Sequence, residues 1–228
     1  VTPALEVPGV QAVYTYEDIA KLGGNNHLGP IMKDEFCFLP VGEKIPMVNQ
    51  VLGIVVAETL DSAEAGARAV KVVMKAPEEK IVVTIDDAIE ATSYYESTRH
   101  VMARGDQDML AKLETTPSDA TMKTGDLVVV EGSFSCGGQD HFYLETNSSV
   151  AVPSDSDTNL TIYCSTQAVT KTQKFCASTT NTPESKVVIR MKRMGGGFGG
   201  KETRSVFASC AAAVAAKLCC KPVRVTLS

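Results

Sequence analysis

The densest set of residues able to do chemistry is Met194-Gly195-Gly196-Gly197-Phe198-Gly199-Gly200-Lys201-Glu202. Its five glycines carry no Cβ and admit positive φ, so bare N–H groups can converge on a ligand. Gly195 to Lys201 fits the phosphate-loop spacing G-x-x-x-x-G-K, but Glu202 stands where Ser or Thr should hold Mg²⁺. A carboxylate there offers no hydroxyl and repels phosphate oxygens. Gly195, Gly197 and Gly200 also fit G-x-G-x-x-G, the dinucleotide fingerprint, whose confirming acid lies roughly 20 residues on. No Asp or Glu occurs from 218 to 228. In a run of five glycines either pattern arises readily by chance, so a P-loop or Rossmann nucleotide site stays as an alternative.

Two elements must position this stretch. Residues 187–194 read as a strand, with Ile189 and Met191 on one face and Arg190 and Lys192 on the other. Residues 203–218 read as an Ala-rich helix free of Gly and Pro. A strand running through glycines into a helix N-terminus presents unpaired N–H donors and the positive end of the dipole. Glu202 then sits at the helix start, where it could simply cap or complement that dipole.

The segment from Lys192 to Ser205, KRMGGGFGGKETRS, resembles the molybdenum-binding subunit of the xanthine dehydrogenase and aldehyde oxidase family. Gly137-Gly138-Gln139-Asp140-His141-Phe142-Tyr143-Leu144-Glu145-Thr146 looks like that family's G-G-Q-[ED]-H-F-Y-L-E-T segment. Ser165-Thr166-Gln167 and Lys171-Thr172-Gln173 match between them in order and spacing. Several motifs in order are far more specific than one glycine run. The resemblance is close from Gly132 onward and looser from Val1 to Ile89.

The resemblance implies an α+β chain. A small α/β hammerhead domain at 1–92 is followed by a polar linker at 93–125. The first part of a mixed-sheet molybdopterin-binding domain would occupy 126–228. It implies molybdenum–molybdopterin as cofactor, held by Gln139, Gly196, Gly197, Phe198 and Gly199, without direct side-chain ligation of the metal. Gln139 and Phe198 would lie near the molybdenum. Taken alone, Gln139 is a turn residue making local bonds and Phe198 an aromatic plug. Glu202 corresponds to the residue that hydrogen-bonds the purine in xanthine-oxidising members; aldehyde-oxidising members commonly have an apolar residue there. A site built to bond ring nitrogens rejects molecules lacking them, so Glu202 favours a purine hydroxylase over an aldehyde oxidase. Asn147 replaces the His common in animal members, and no role follows from it.

The implied reaction is oxidation of hypoxanthine to xanthine and of xanthine to urate, with the metal carrying the hard chemistry. The family's general base lies near the far end of the molybdenum subunit, so this chain alone is expected to show no turnover. FAD, two [2Fe-2S] clusters, NAD and a homodimer are expected only of the full-length protein. An aldehyde oxidase-type hydroxylase is the alternative. A non-catalytic cofactor-binding or assembly module is an alternative of another class.

Composition frames these readings. The 228 residues are 44% hydrophobic and 21% charged, as in ordinary globular proteins. A net charge of −5 with no basic block argues against nucleic acid as the partner. No apolar run reaches about 18 residues, so no membrane span is expected. The seven cysteines form no zinc or iron–sulfur spacing and read as small hydrophobes, which suits a cytoplasmic protein, with peroxisomal as the alternative. The chain begins at Val1, which suggests a fragment of a longer protein.

Along the chain, residues 50–58 read as an apolar strand and Asp61-Ser62-Ala63-Glu64 as a helix start. Ala63, Ala67, Val70 and Met74 share a helical face that Pro77 ends, and residues 80–85 read as the next strand. Asp86-Asp87 and Glu78-Glu79 read as solvated acids, not a catalytic pair. Residues 93–124 read as a loop, with His100 on its surface. Strands are expected at 126–134, 141–152, 159–164 and 223–227, and a helix at 167–177. His141 and Glu145 then share a strand face about 13 Å apart, which makes them structural.

Overall fold

The computed structural model describes all residues except 30, 79, 96–101, 103, 115–131, 155, 157 and 228, and only the backbone at 110 and 112–114. His100 and most of the strand expected at 126–134 lie outside the described residues. The chain forms two compact units, one of residues 1–72 with 139–228 and one of 73–138.

The first unit opens with α1 (Thr2–Leu5), β1 (Val10–Thr15) and α2 (Tyr16–Lys21). The Asp18 carboxylate accepts from the Thr15 N–H at 2.9 Å and fixes the turn into α2. A two-residue ladder joins β2 (His27–Leu28) to β3 (Glu35–Phe36). β4 (Gly53–Ala57), Val- and Ile-rich, pairs antiparallel with β1. α3 (Leu60–Ala69) starts from Thr59, whose hydroxyl accepts from the Ser62 N–H, so the cap lies two residues before the expected Asp61. The helix packs tightly on β1 and β4. A Cβ at Gly66 would stand 2.8 Å from Val10 Cγ2 and 2.9 Å from Val55 Cγ1. α3 ends at Ala69, well before Pro77, as β-branched Val70, Val72 and Val73 approach.

The larger part of this unit is a four-stranded mixed sheet in the order β7-β6-β5-β8. Its strands are β5 (Ser148–Pro153), β6 (Leu160–Cys164), β7 (Val187–Arg190) and β8 (Val223–Thr226). β5 runs antiparallel to β6 and β8; β6 and β7 are parallel. The parallel step is bridged by α6 (Val169–Thr179), as a crossover requires. α7 (Val206–Cys219) is buried almost all round, because Ala and Cys side chains let β5, β6, β8 and α6 approach closely. One apolar core runs from Ile19, Leu28, Cys37 and Phe38 through Ile162 and Cys176 to Ala216. Cys37, Cys164, Cys176 and Cys210 are buried free thiols, as the sequence suggests; Cys136 and Cys220 are exposed.

The second unit holds α4 (Ile85–Glu90) and α5 (Gln107–Glu114). Residues 80–85 have the composition of a strand but form none, and Ile85 opens α4. Ile81 and Val83 are 65% and 80% exposed, and no described neighbour completes a ladder. Thr84 instead caps α4 through the Asp87 N–H, and Lys80 pairs with Asp87 and Glu90. Asp86 and Asp87 occupy the first turn of α4, where they complement the dipole as solvated acids. α5 occupies part of the segment read as loop.

Candidate functional site

Between β7 and α7 the chain makes a loop whose two ends are held by side chains from elsewhere. At the first end, the Gly195 N–H donates to Glu145 Oε2 at 2.6 Å. At the far end, Lys201 is fully buried, and its Nζ donates to the same oxygen at 2.9 Å and to Ser165 Oγ at 2.7 Å. The ammonium also lies 4.7 Å from the Tyr143 ring centroid, a cation–π contact. Ser165 Oγ completes the triangle by donating to Glu145 Oε2 at 2.6 Å. The Ser165 hydroxyl, the Lys201 ammonium and the Gly195 N–H hold the Glu145 carboxyl down at about 2.

Gln167 fixes the other side of the loop. Its Oε1 accepts from the N–H groups of Gly199 at 2.9 Å and Lys201 at 3.2 Å, and its own N–H donates to the Lys201 carbonyl at 2.8 Å. Its Nε2 donates to no described group of the chain. Turns inside the loop satisfy Gly200 and Glu202, whose N–H groups bond the carbonyls of Gly197 and Gly199. The N–H groups of Gly196, Gly197 and Phe198 have no partner among the described residues.

The glycines are explained by these neighbours. A Cβ would stand 2.6 Å from Glu145 Cβ at Gly195, 2.5 Å from Gln167 Oε1 at Gly197, and 2.5 Å from Tyr143 Cε1 at Gly200. Gly196 and Gly199 have φ of +92° and +97°. Phe198 also lies in the left-handed region, with φ +49°, and its ring is exposed. That conformation is costly for an aromatic residue and is held only because the surroundings over-determine it.

These contacts correct several expectations. Lys201 faces inward and is fully engaged, so it cannot serve as a phosphate-loop lysine. The loop does not run directly into a helix either. Residues 199–205 are turns and bends, and α7 begins at Val206. Glu202 therefore lies ahead of the helix and does not cap it; its Oε1 meets Lys171 Nζ of α6 at 3.4 Å, both side chains partly exposed. Residues 141–147 are not strand, because Phe142 has φ +47° and breaks the extended run. The interval between His141 and Glu145 is thus not that of a strand. Both side chains reach the loop, His141 beside Gly199 and Gly200 and Glu145 at Gly195.

Of the residues singled out from sequence, the structure gathers Gly196, Gly197, Phe198, Gly199 and Glu202 in one loop. Gln139 is exposed, and no bond joins it to that loop. Sequence reasoning passed over Gln167, which is built into the loop. Its only signal was its place in the Ser165-Thr166-Gln167 motif. Among the described residues no group of three His, Cys, Asp or Glu side chains could hold a bare metal ion. What the loop offers is free N–H donors, a free side-chain amide and an exposed aromatic ring. That set fits a group that brings its own metal ligands and presents acceptor atoms.

Comparison with known proteins agrees on both parts of the chain. Residues 97–228 match the family described as molybdopterin cofactor-binding domain. Residues 1–78 match the aldehyde oxidase and xanthine dehydrogenase a/b hammerhead domain. A xanthine dehydrogenase of Emericella nidulans is 39% identical over 225 residues, covering 99% of this chain and 15% of the relative. A nicotinate hydroxylase of the same organism is 38% identical over 228 residues, covering 100% and 16%. The aldehyde oxidoreductase from Desulfovibrio gigas superposes with a TM-score of 0.72 at 22% identity, over 100% of this chain and 24% of that one, a likeness of fold. The chain thus spans about 15% of the length of the curated relatives it matches. Among the described residues no helix is long and apolar enough to cross a membrane.

Proposed function

This chain belongs to the aldehyde oxidase and xanthine dehydrogenase family, with hammerhead and molybdopterin-binding domains, and on that premise we propose that it serves purine hydroxylation. In this reading it forms part of a longer molybdenum hydroxylase that oxidises hypoxanthine and xanthine to urate. Its 228 residues hold part of the cofactor and one wall of the substrate site. The observation that carries the reading is the loop itself, in which three consecutive N–H groups have no partner among the described residues while the flanking ones are bound internally.

Bound molybdenum–molybdopterin supplies the two-electron oxidation and the oxygen transfer. The chain's own part is binding and orientation. The N–H groups of Gly196, Gly197 and Phe198 donate to acceptor atoms of the cofactor, and Gly199 lines it. Gln167, its carbonyl tied to the loop, keeps its Nε2 for the cofactor; Gln139 is assigned to the cofactor as well. Phe198 shields the site from water with its exposed ring. Glu202 accepts from a ring N–H of the substrate, and Lys171 restrains its carboxylate. Other domains of the enzyme, with FAD, two [2Fe-2S] clusters and NAD, take the electrons onward, in a cytoplasmic homodimer.

The nicotinate hydroxylase relative supports a second reading, hydroxylation of a pyridine carboxylate. Glu202 weighs against it, since a carboxylate beside an anionic substrate repels it. The deciding experiment is turnover of the full-length enzyme on xanthine, nicotinate and an aromatic aldehyde. Glu202→Ala is expected to lower kcat/KM for xanthine by about 10²-fold or more and to spare the aldehyde. Preference of the wild type for nicotinate or aldehyde, or an unchanged xanthine rate in the variant, overturns the purine assignment.

A further inference from the structure

We propose that Glu145, acting through Lys201 and Ser165, is the positioning residue that sets the shape of the glycine loop. Its consequence for cofactor binding rests on the molybdopterin reading above. One atom, Glu145 Oε2, takes three donors: the Gly195 N–H, the Ser165 hydroxyl and the Lys201 ammonium. Gly195 opens the glycine run and Lys201 follows it, so a single oxygen draws both ends of the loop together. Between those ends stand the free N–H groups of Gly196, Gly197 and Phe198.

Charge is needed for this, beyond shape. Lys201 is fully buried and cannot turn to water, so its ammonium requires an anion, with Ser165 Oγ and the Tyr143 ring taking its other two directions. An ionised acceptor also holds N–H and O–H donors about twice as strongly as a neutral one. A glycine-rich loop would otherwise sample many conformations and lose them on binding. The brace settles that before a ligand arrives. Gln167 secures only the far side, at Gly199 and Lys201, so without the Glu145 carboxylate the Gly195 end keeps only the long bond from the Glu145 N–H to the Gly195 carbonyl, at 3.4 Å.

The test uses the full-length enzyme as wild type, Glu145→Gln and Ser165→Ala. Bound molybdenum per protomer and segment-resolved amide hydrogen exchange are measured for each. Glu145→Gln keeps the shape and removes the charge. It is expected to speed exchange at Gly195 roughly 10- to 100-fold. Strands β5 and β6 and helix α7 should keep wild-type rates, and bound molybdenum should fall about 10-fold or more. Ser165→Ala leaves the charges in place and is expected to speed the same amide by roughly 2- to 10-fold. Unchanged exchange at Gly195, or equal acceleration throughout α7 and the sheet, overturns the proposal. If Glu145→Gln does not accumulate folded, Ser165→Ala decides by the same local criterion. A wild type without molybdenum that still shows the local effect would remove the cofactor reading and leave the brace standing. A variant loaded and protected like the wild type would remove the brace and leave the cofactor reading.

Discussion

Residues 195–201 and 137–139 both set glycines beside side chains with chemistry, and the structure surrounds them in opposite ways. In the first stretch four of the seven N–H groups have partners: Glu145 takes that of Gly195, Gln167 those of Gly199 and Lys201, and the Gly197 carbonyl that of Gly200, which leaves Gly196, Gly197 and Phe198 unpartnered among the described residues. Around Gly137 and Gly138 no atom of the described residues lies within 4 Å of where a Cβ would stand, and Gln139 is exposed. The same residue type thus does two different things. In 195–201 glycine yields space that Glu145, Gln167 and Tyr143 occupy, which fixes the loop. At 137–138 it fills no such role within the described chain. A glycine motif marks a rigid cradle only where neighbours use the missing side chain.

Removing the inward cation should give the largest effect on this contrast. Lys201→Met removes two hydrogen bonds from the brace, to Glu145 and Ser165, and leaves Glu145 without its cation. It is expected to cost about 3 kcal/mol in denaturant unfolding, toward the lower end for a broken buried pair because Glu145 keeps some water. Gly197→Ala and Gly195→Ala come next, at about 1–3 kcal/mol each, since their Cβ atoms would collide with Gln167 Oε1 and Glu145 Cβ. A pH series follows. The folded Glu145 carboxyl sits at about 2, below its ordinary 4.5, so its stabilisation is complete above pH 4.5 and disappears as pH falls toward 2. The stability gap between wild type and Glu145→Gln should accordingly close between those values. Smallest of all, Gly137→Ala and Gly138→Ala should shift stability by no more than about 0.5 kcal/mol. A cost above 1 kcal/mol at either would erase the distinction between the stretches.

Sequence made the sheet legible because its strands carry local signals. β6, β7, β8, α6 and α7 lie within a few residues of where periodicity puts them. The readings that failed depended on partners distant in the chain. Residues 80–84 have strand composition, yet a strand exists only with a neighbour. Residues 141–147 alternate like a strand, but Phe142 turns left-handed and ends the extended run. Glu145 and Lys201 lie too far apart for any spacing rule to join them. Gln167 sat in a matched motif, but only its contact with Gly199 and Lys201 gives that motif a purpose. Glycines could be read as permissive, whereas what occupies the vacated space could not.

The most direct test of the central claim is amide hydrogen exchange on the full-length enzyme, with and without bound cofactor. Without cofactor, the amides of Gly195, Gly199, Gly200 and Lys201 should be protected, while those of Gly196, Gly197, Phe198 and residues 137–139 exchange freely. Cofactor should then protect 196–198. A loop that exchanges uniformly until cofactor binds would contradict a preformed cradle, and one in which 196–198 never gain protection would contradict its proposed use.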